Sequence, residues 1–357
     1  MSAIPATMVA ARLHGARDIR VESVASPAAP GPGWVTLGVS AVGICGSDLH
    51  TYTDGRLGET MLKSPLILGH EFAGVILRVG AGAMDGAGRA IAVGARVCVD
   101  PAQACGKCDL CQKGDPNLCR NLRFCGLWPD DGAMCQYINV PGDTCFVMPD
   151  SIDLAQGPLL ETLGVALHTA DLAKVRVGQS VAIIGAGPIG LCILQVMRLA
   201  GAEAIYIVDK LAGRCALARR WTDNVIDCSA ADPVEFIGRA MHGQGVDIAI
   251  EAAWADSSIQ QAADMLRPGG RLVLVGIPGD DRLQLKHSTA RRKGLDIRMV
   301  RRMKHAYPRA IQLVQQGKIE LGPLISHRFP LARAAEALSL NAAYADGAVK
   351  VILDVQE

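Results

Sequence analysis

The 357-residue chain has no surplus of charge, with 36 lysines and arginines against 35 acidic residues. That balance removes the electrostatic case for nucleic acid or anionic lipid as a partner. No apolar run approaches the length of a membrane span. Residues 1–20 lack a basic region followed by a long apolar stretch, so no secretory signal is expected and the cytoplasm is the expected location. Internal repeats and low-complexity linkers are missing as well. What remains is a chain too long for one core and suited to two, with half its residues apolar.

Two textures divide the sequence. The first 150 residues are rich in Gly, Pro and Val. Residues 19–24, 33–42, 74–79 and 95–99 read there as short strands bounded by turn residues, and 80–94, rich in Gly and Ala, reads as a surface loop. From about Gly157 the texture changes. Apolar runs at 181–185, 204–209, 247–251 and 271–276 alternate with helix-like segments such as 189–200 and 257–266. Such alternation is the mark of a doubly wound parallel sheet. A helix at 307–316, a further helix beyond 331 and a final strand at 349–353 are read as the chain returning to its first domain.

Gly185-Ala186-Gly187-Pro188-Ile189-Gly190 is a G-x-G-x-x-G between a strand-like and a helix-like run, the context that gives the motif meaning. The first glycine permits the turn, the second lets backbone approach a pyrophosphate, and the third lets helix and strand pack closely. The helix N-terminus then faces the phosphates with partial positive charge. Asp209 follows Gly190 by nineteen residues and ends the next strand. A carboxylate there accepts from ribose hydroxyls and repels a 2′-phosphate, so NAD is expected over NADP. Arg214 and Arg219 lie nearby and suit a phosphate.

Twelve cysteines are present, four of them at Cys105, Cys108, Cys111 and Cys119. In a long chain without a secretory signal, such clustering points to metal or catalysis rather than disulfides. The spacing C-x2-C-x2-C-x7-C lets four thiolates wrap one tetrahedral zinc closed to water, with Gly106 and Gly114 easing the backbone. A closed site does no chemistry, so its expected role is to stabilise a loop. Most of the other eight cysteines read as small buried apolar residues, with Cys45 the exception.

A catalytic zinc needs three protein ligands and an open position. Cys45 and His70 have the right softness. A carboxylate must complete the set, either Glu71 or Glu161, the latter at the expected junction of the two domains. Each has a plain structural reading on its own; together, beside a nucleotide fold and a zinc knot, they point to a metal-assisted enzyme.

The chain resembles the zinc-containing medium-chain dehydrogenases, and within them the sorbitol (polyol) dehydrogenases. The resemblance spans nearly the whole length and rests on Gly69-His70-Glu71 with Gly74, Gly80 and Ala83 at family spacing, on the four-cysteine knot and the glycine turn, and on Ser326-His327-Arg328-Phe329-Pro330-Leu331. It implies an α/β architecture: a GroES-like, mostly-β catalytic domain from both chain ends (1–160 and 304–357) with an inserted Rossmann domain (161–303). By position, Cys45, His70 and Glu71 match catalytic zinc ligands. Glu161 matches a second glutamate that binds the metal or holds its water, where alcohol dehydrogenases proper carry cysteine. That exchange favours a polyol. Ser47 and His50 match the proton relay. Val275, Gly276, Ile277 and Val300, Arg301, Arg302 match the lining of the nicotinamide half of the cofactor. Thr51, Phe124, Glu161 and Arg302 match substrate-contacting positions, although animal sorbitol enzymes carry tyrosine at the positions of Thr51 and Met303. The resemblance thus implies one catalytic and one structural zinc per chain, NAD, a small alcohol or polyol as substrate, and a homotetramer or homodimer. A butanediol, threonine or simple secondary-alcohol dehydrogenase is the neighbouring reading. A non-catalytic nucleotide-binding relative is the reading from another class, and the joint presence of Cys45, Ser47, His50, His70 and Glu71 argues against it.

Overall fold

A computed structural model describes residues 4–253, 255, 257–277 and 282–356. The chain divides into two compact units: Met1–Glu161 with Tyr307–Gly317 and Ile325–Glu357, and Thr162–Ala306 with Lys318–Leu324. The second unit therefore takes back a short segment of the C-terminal stretch that the sequence reading runs without interruption from 304. Glu320 supplies the reason. Its carboxylate accepts two bonds from Arg220, at 2.8 and 2.9 Å, and one from Trp221 Nε1 at 3.1 Å. Its backbone exchanges two bonds with the Gln195 amide.

The first unit is built on a seven-stranded sheet in the order Cys145–Val147, Arg96–Val99, Glu71–Val79, Trp34–Gly43, Lys350–Asp354, Ile325–Pro330, with Tyr137–Pro141 also pairing to Trp34–Gly43. The Trp34–Gly43 strand is buried on both faces over most of its length, which is why it reads as a continuous apolar run rather than an alternating one. Thr7–Gly15 pairs with Asp18–Ala25 in a separate sheet. That first strand went unread because its apolar residues are broken by Arg12 and His14 without clean alternation. Residues 80–94 form a loop, but not a purely superficial one. Ala83 and Ile91 join the core, and the buried Asp85 carboxylate accepts from Ala87 N, Arg89 N and Arg89 Nε at 2.8–3.0 Å.

The second unit holds a six-stranded, all-parallel sheet in the order Val225–Asp227, Ala204–Asp209, Ser180–Ile184, Val246–Glu251, Leu266–Leu274, Asp296–Met299. Numbered along the chain this is 3-2-1-4-5-6, the doubly wound dinucleotide-binding order. The glycine turn follows the first of these strands, at the point where the order reverses, the standard ligand position in such sheets. The Pro188–Leu199 helix begins with Gly187 as its cap and proline at its first position; the missing N–H of that proline costs nothing there.

The three motif glycines are required for different reasons. Gly185 has φ of +103°, and a Cβ there would meet Ala252 O at 2.7 Å. At Gly190 a Cβ would sit 1.8 Å from Gly185 O, whereas at Gly187 the nearest atom is the tip of Arg214 at 3.5 Å. Gly190→Ala should therefore overpack the strand–helix contact at about 1–3 kcal/mol, lowering the unfolding midpoint by roughly 2–12 °C. Gly187→Ala should change the midpoint far less. Thermal unfolding of the two variants checks this; equal midpoints would refute the distinction.

Candidate functional site

The sequence around Cys45 turns a strand into a helix at a metal-ligand position. Cys45 caps the Gly46–Asp54 helix, and Asp48, in its first turn, folds back to accept from Cys45 N at 2.9 Å. The same buried carboxylate receives Gly69 N at 3.4 Å and faces His70 Nδ1 at 3.2 Å. Asp48 thus ties both candidate ligand segments together. With Nδ1 engaged, His70 has Nε2 left to offer a metal, the usual carboxylate–histidine arrangement around zinc. Burial would lower the His70 pKa, but Asp48 and Cys45 outweigh it and hold the ring well above its ordinary value in the metal-free chain, so a divalent ion binding here displaces a proton.

Glu71 lies directly opposite Gly43 across the sheet. A Cβ at Gly43 would come within 2.4 Å of Glu71 Oε2, so only glycine leaves space for the carboxylate. One ligand atom each from Cys45, His70 and Glu71 lies within 4.8 Å of the others. Thiolate, imidazole and carboxylate are a donor set that zinc accepts, and three donors leave the fourth position for substrate. Ser47 Oγ is 3.4 Å from His70 Nε2, the ring nitrogen available to a metal. Glu161, in the first turn of the Leu159–Ala173 helix, is buried. It stands outside the set of three. Burial, followed by the neighbouring Glu71 charge, pushes its carboxyl up to about 7. His50 Nδ1 lies 3.6 Å from Asp54, and the Phe124 ring lies 5.3 Å from that of His70. The Thr51 hydroxyl is buried and donates to Ser47 O at 3.1 Å within the helix.

Lys350 was not anticipated. It is fully buried, donates to Glu71 Oε2 at 2.5 Å and to Ile44 O at 3.3 Å, and stays charged because Glu71 and Cys45 outweigh the cost of burial. A lysine near the chain end carries no local signal of such a position. Asp48 did carry one, a carboxylate three residues after a cap, which went unused.

The four sulfurs of Cys105, Cys108, Cys111 and Cys119 also converge. Cys108 Sγ is 3.5 Å from Cys111 Sγ and 3.9 Å from Cys119 Sγ. A tetrahedron with zinc–sulfur arms of about 2.3 Å has edges of about 3.8 Å, so the knot is already close to its metal-bound shape. Backbone N–H groups of Cys111 and Arg120 bring the Cys108 thiol down to about 6, whereas burial and adjacent sulfurs push Cys111 up to about 12. Gly106 and Gly114 both have positive φ. None of the twelve cysteines is in a disulfide.

In the second unit, Asp209 Oδ2 accepts from Ala186 N at 2.8 Å and Oδ1 from Leu211 N at 2.9 Å, which fixes the acidic residue against the glycine turn. Glu251, at the end of its strand, receives Val275 N and Gly276 N on its backbone oxygen at 2.9 and 3.1 Å. Its carboxylate would meet any Cβ at Gly276 at 2.5 Å. Val300 N bonds Leu274 O at 2.8 Å, and Ile277 and Arg301 are exposed. Arg302 holds a left-handed backbone, φ +56°, an uncommon conformation for a side chain of its size.

The chain is similar to known proteins over nearly its whole length. Residues 31–150 match the alcohol dehydrogenase GroES-like domain, and residues 188–316 match the zinc-binding dehydrogenase domain. The chain is 33% identical to a sorbitol dehydrogenase of Bacillus subtilis over 351 residues, 98% of each chain. Among solved structures, a zinc-binding dehydrogenase from Sinorhizobium meliloti 1021 bound to NADP aligns with a TM-score of 0.88 at 34% identity, over 98% of this chain and all of that one. The 2R,3R-butanediol dehydrogenase of Bacillus subtilis aligns at 0.85 and 28%, with the same coverage. The chain belongs to the zinc-containing medium-chain alcohol and polyol dehydrogenase family. It is a zinc-dependent oxidoreductase that uses a nicotinamide dinucleotide. Among the described residues, no helix is long and apolar enough to cross a membrane.

Replacing Asp48 by Asn removes the negative charge behind His70 and leaves one acceptor oxygen for three donors. Affinity for one of two zinc ions should fall 10–100-fold, read by competition with a chromophoric chelator. Unchanged affinity would show that Asp48 is only a helix cap.

Proposed function

We propose that the chain oxidises a secondary alcohol bearing neighbouring hydroxyls, a sugar alcohol, to the corresponding ketose with NAD. The observation that carries this reading is the make-up of the metal pocket: one thiolate, one imidazole and one carboxylate converge, with the second buried carboxyl of Glu161 nearby. Carboxyl groups bond additional substrate hydroxyls, which a second thiolate would do poorly.

Cys45, His70 and Glu71 hold the catalytic ion, and Cys105, Cys108, Cys111 and Cys119 the structural one. When bound, zinc supplies Lewis acidity at the substrate hydroxyl and NAD accepts the hydride. The residues do the remainder. Asp48 keeps His70 in the tautomer with Nε2 free. Ser47 Oγ, beside that nitrogen, accepts the hydroxyl proton as it releases its own, and His50 passes the proton toward solvent. Glu161 accepts from substrate hydroxyls, while Thr51 and Phe124 bound the substrate in the same unit.

Gly185, Gly187, Pro188, Ile189 and Gly190 present backbone to the pyrophosphate, with Arg214 against Gly187. Asp209, held by two backbone donors, keeps lone pairs for the ribose hydroxyls and opposes a 2′-phosphate. Val275, Gly276, Ile277, Val300 and Arg301 receive the nicotinamide half. The cytoplasm and a homo-oligomer, tetramer or dimer, complete this reading.

The test is a panel of sugar alcohols, diols and simple secondary alcohols followed by NADH absorbance, with NADP in parallel. Polyol specificity predicts that kcat/KM rises as neighbouring hydroxyls are added, because a substrate lacking them leaves buried polar groups unpaired, and that NAD is preferred. Highest kcat/KM on butane-2,3-diol or a mono-alcohol would reject the sugar-alcohol reading, and a preference for NADP would reject the role of Asp209.

A further inference from the structure

Lys350 stands at the start of the last strand, and its side chain and that of Glu71 are 2% and 1% exposed. Two independent features act on one carboxylate oxygen. Lys350 Nζ donates to Glu71 Oε2, and the missing side chain of Gly43 makes room for that same atom. Lys350 is itself held in place, because Ile44 O accepts from its ammonium and Ile44 N bonds Val351 O at 3.0 Å. Charge counting gives this arrangement a purpose. A zinc with two thiolates and one imidazole is neutral by itself. Here the Cys45 thiolate and Glu71 bring two negative charges to a buried centre, which a divalent ion offsets, and Glu161 adds a third when it ionises. Lys350 is the third positive charge. Asp48, one step further out, is met by two backbone N–H groups and the His70 ring.

We propose that Lys350 is a positioning residue of the catalytic zinc centre: it pins Glu71 through Oε2 in ligating position and supplies the counter-charge that lets a second carboxylate, Glu161, share the site. This rests on the reading of Cys45, His70 and Glu71 as the ligands. Two effects of the ammonium oppose one another. It repels the metal, and it pre-organises and neutralises the metal's carboxylates. At 2.5 Å from Glu71 and fully buried, the second effect dominates.

Zinc affinity of the full-length protein is measured by competition with a chromophoric chelator, the four-cysteine ion serving as internal control. Lys350→Met is expected to weaken one zinc ion tenfold or more and leave the other unchanged. Cobalt(II) in the weakened site is expected to show an altered visible spectrum. Lys350→Arg, which keeps the charge, is expected to restore affinity to within threefold of wild type. If Lys350→Met does not fold, Lys350→Gln is read by the same criteria. Wild-type or tighter zinc binding with an unchanged cobalt spectrum in the neutral variant overturns the proposal. Cys45→Ala measured alongside separates the two ideas: if it loses the ion that Lys350→Met keeps, the lysine proposal alone fails, and if it too keeps both ions, the ligand set itself is wrong.

Discussion

A buried carboxylate must be partnered, and the architecture of the first unit answers that demand at Glu71. Isolated charge in an apolar interior is unfavourable by far more than any single packing contact returns. Glu71 is tolerated because the neighbouring strand opens a space at Gly43 and a strand from the opposite end of the sequence brings Lys350. The sheet order, with Lys350–Asp354 beside Trp34–Gly43 and that strand beside Glu71–Val79, is what allows the pairing. Residues nearly three hundred positions apart thus meet because backbone hydrogen bonding fixes their register, and the metal site inherits its precision from the sheet.

The two candidate zinc sites are built in different ways. In the four-cysteine knot the ligands come from fifteen consecutive residues, and the backbone donates N–H groups to sulfur, as from Cys105 and Asn121 to Cys119. That site is local, its four sulfurs lying within 4.8 Å of one another. At Cys45, His70 and Glu71 the candidate ligands come from two distant segments, a helix cap and the start of a strand, are largely buried and have a carboxylate and an ammonium beside them. The second is the kind of site that can leave one position for substrate. The glycine turn of the second unit follows similar logic, with Asp209 bonded to Ala186 so that the acidic residue and the phosphate-facing backbone are one rigid piece.

Much of this was legible in the sequence because it is local. The zinc knot is a spacing, the glycine turn is a spacing with a strand before it and a helix after it, and parallel strands buried on both faces announce themselves as apolar runs. The seven-residue return of the chain to the second unit was not legible, since it depends on Glu320 meeting Arg220 and Trp221 from a hundred residues away. Nor were the short strands Val225–Asp227 and Asp296–Met299, whose identity comes from their neighbours in the sheet rather than from their own residues. Asp48 was overlooked because a capping carboxylate has an adequate local explanation, and its contact with His70 exists only in three dimensions. The choice between Glu71 and Glu161 stayed open in the sequence for the same reason.

The central claim is that a thiolate, an imidazole and a carboxylate share a zinc ion distinct from the four-thiolate one, and X-ray absorption at the zinc edge of the purified protein tests it most directly. Five cysteine sulfurs shared between two zinc ions give a mean of about 2.5 sulfurs per zinc, the remainder being nitrogen and oxygen. A single zinc per chain surrounded by about four sulfurs would contradict the account.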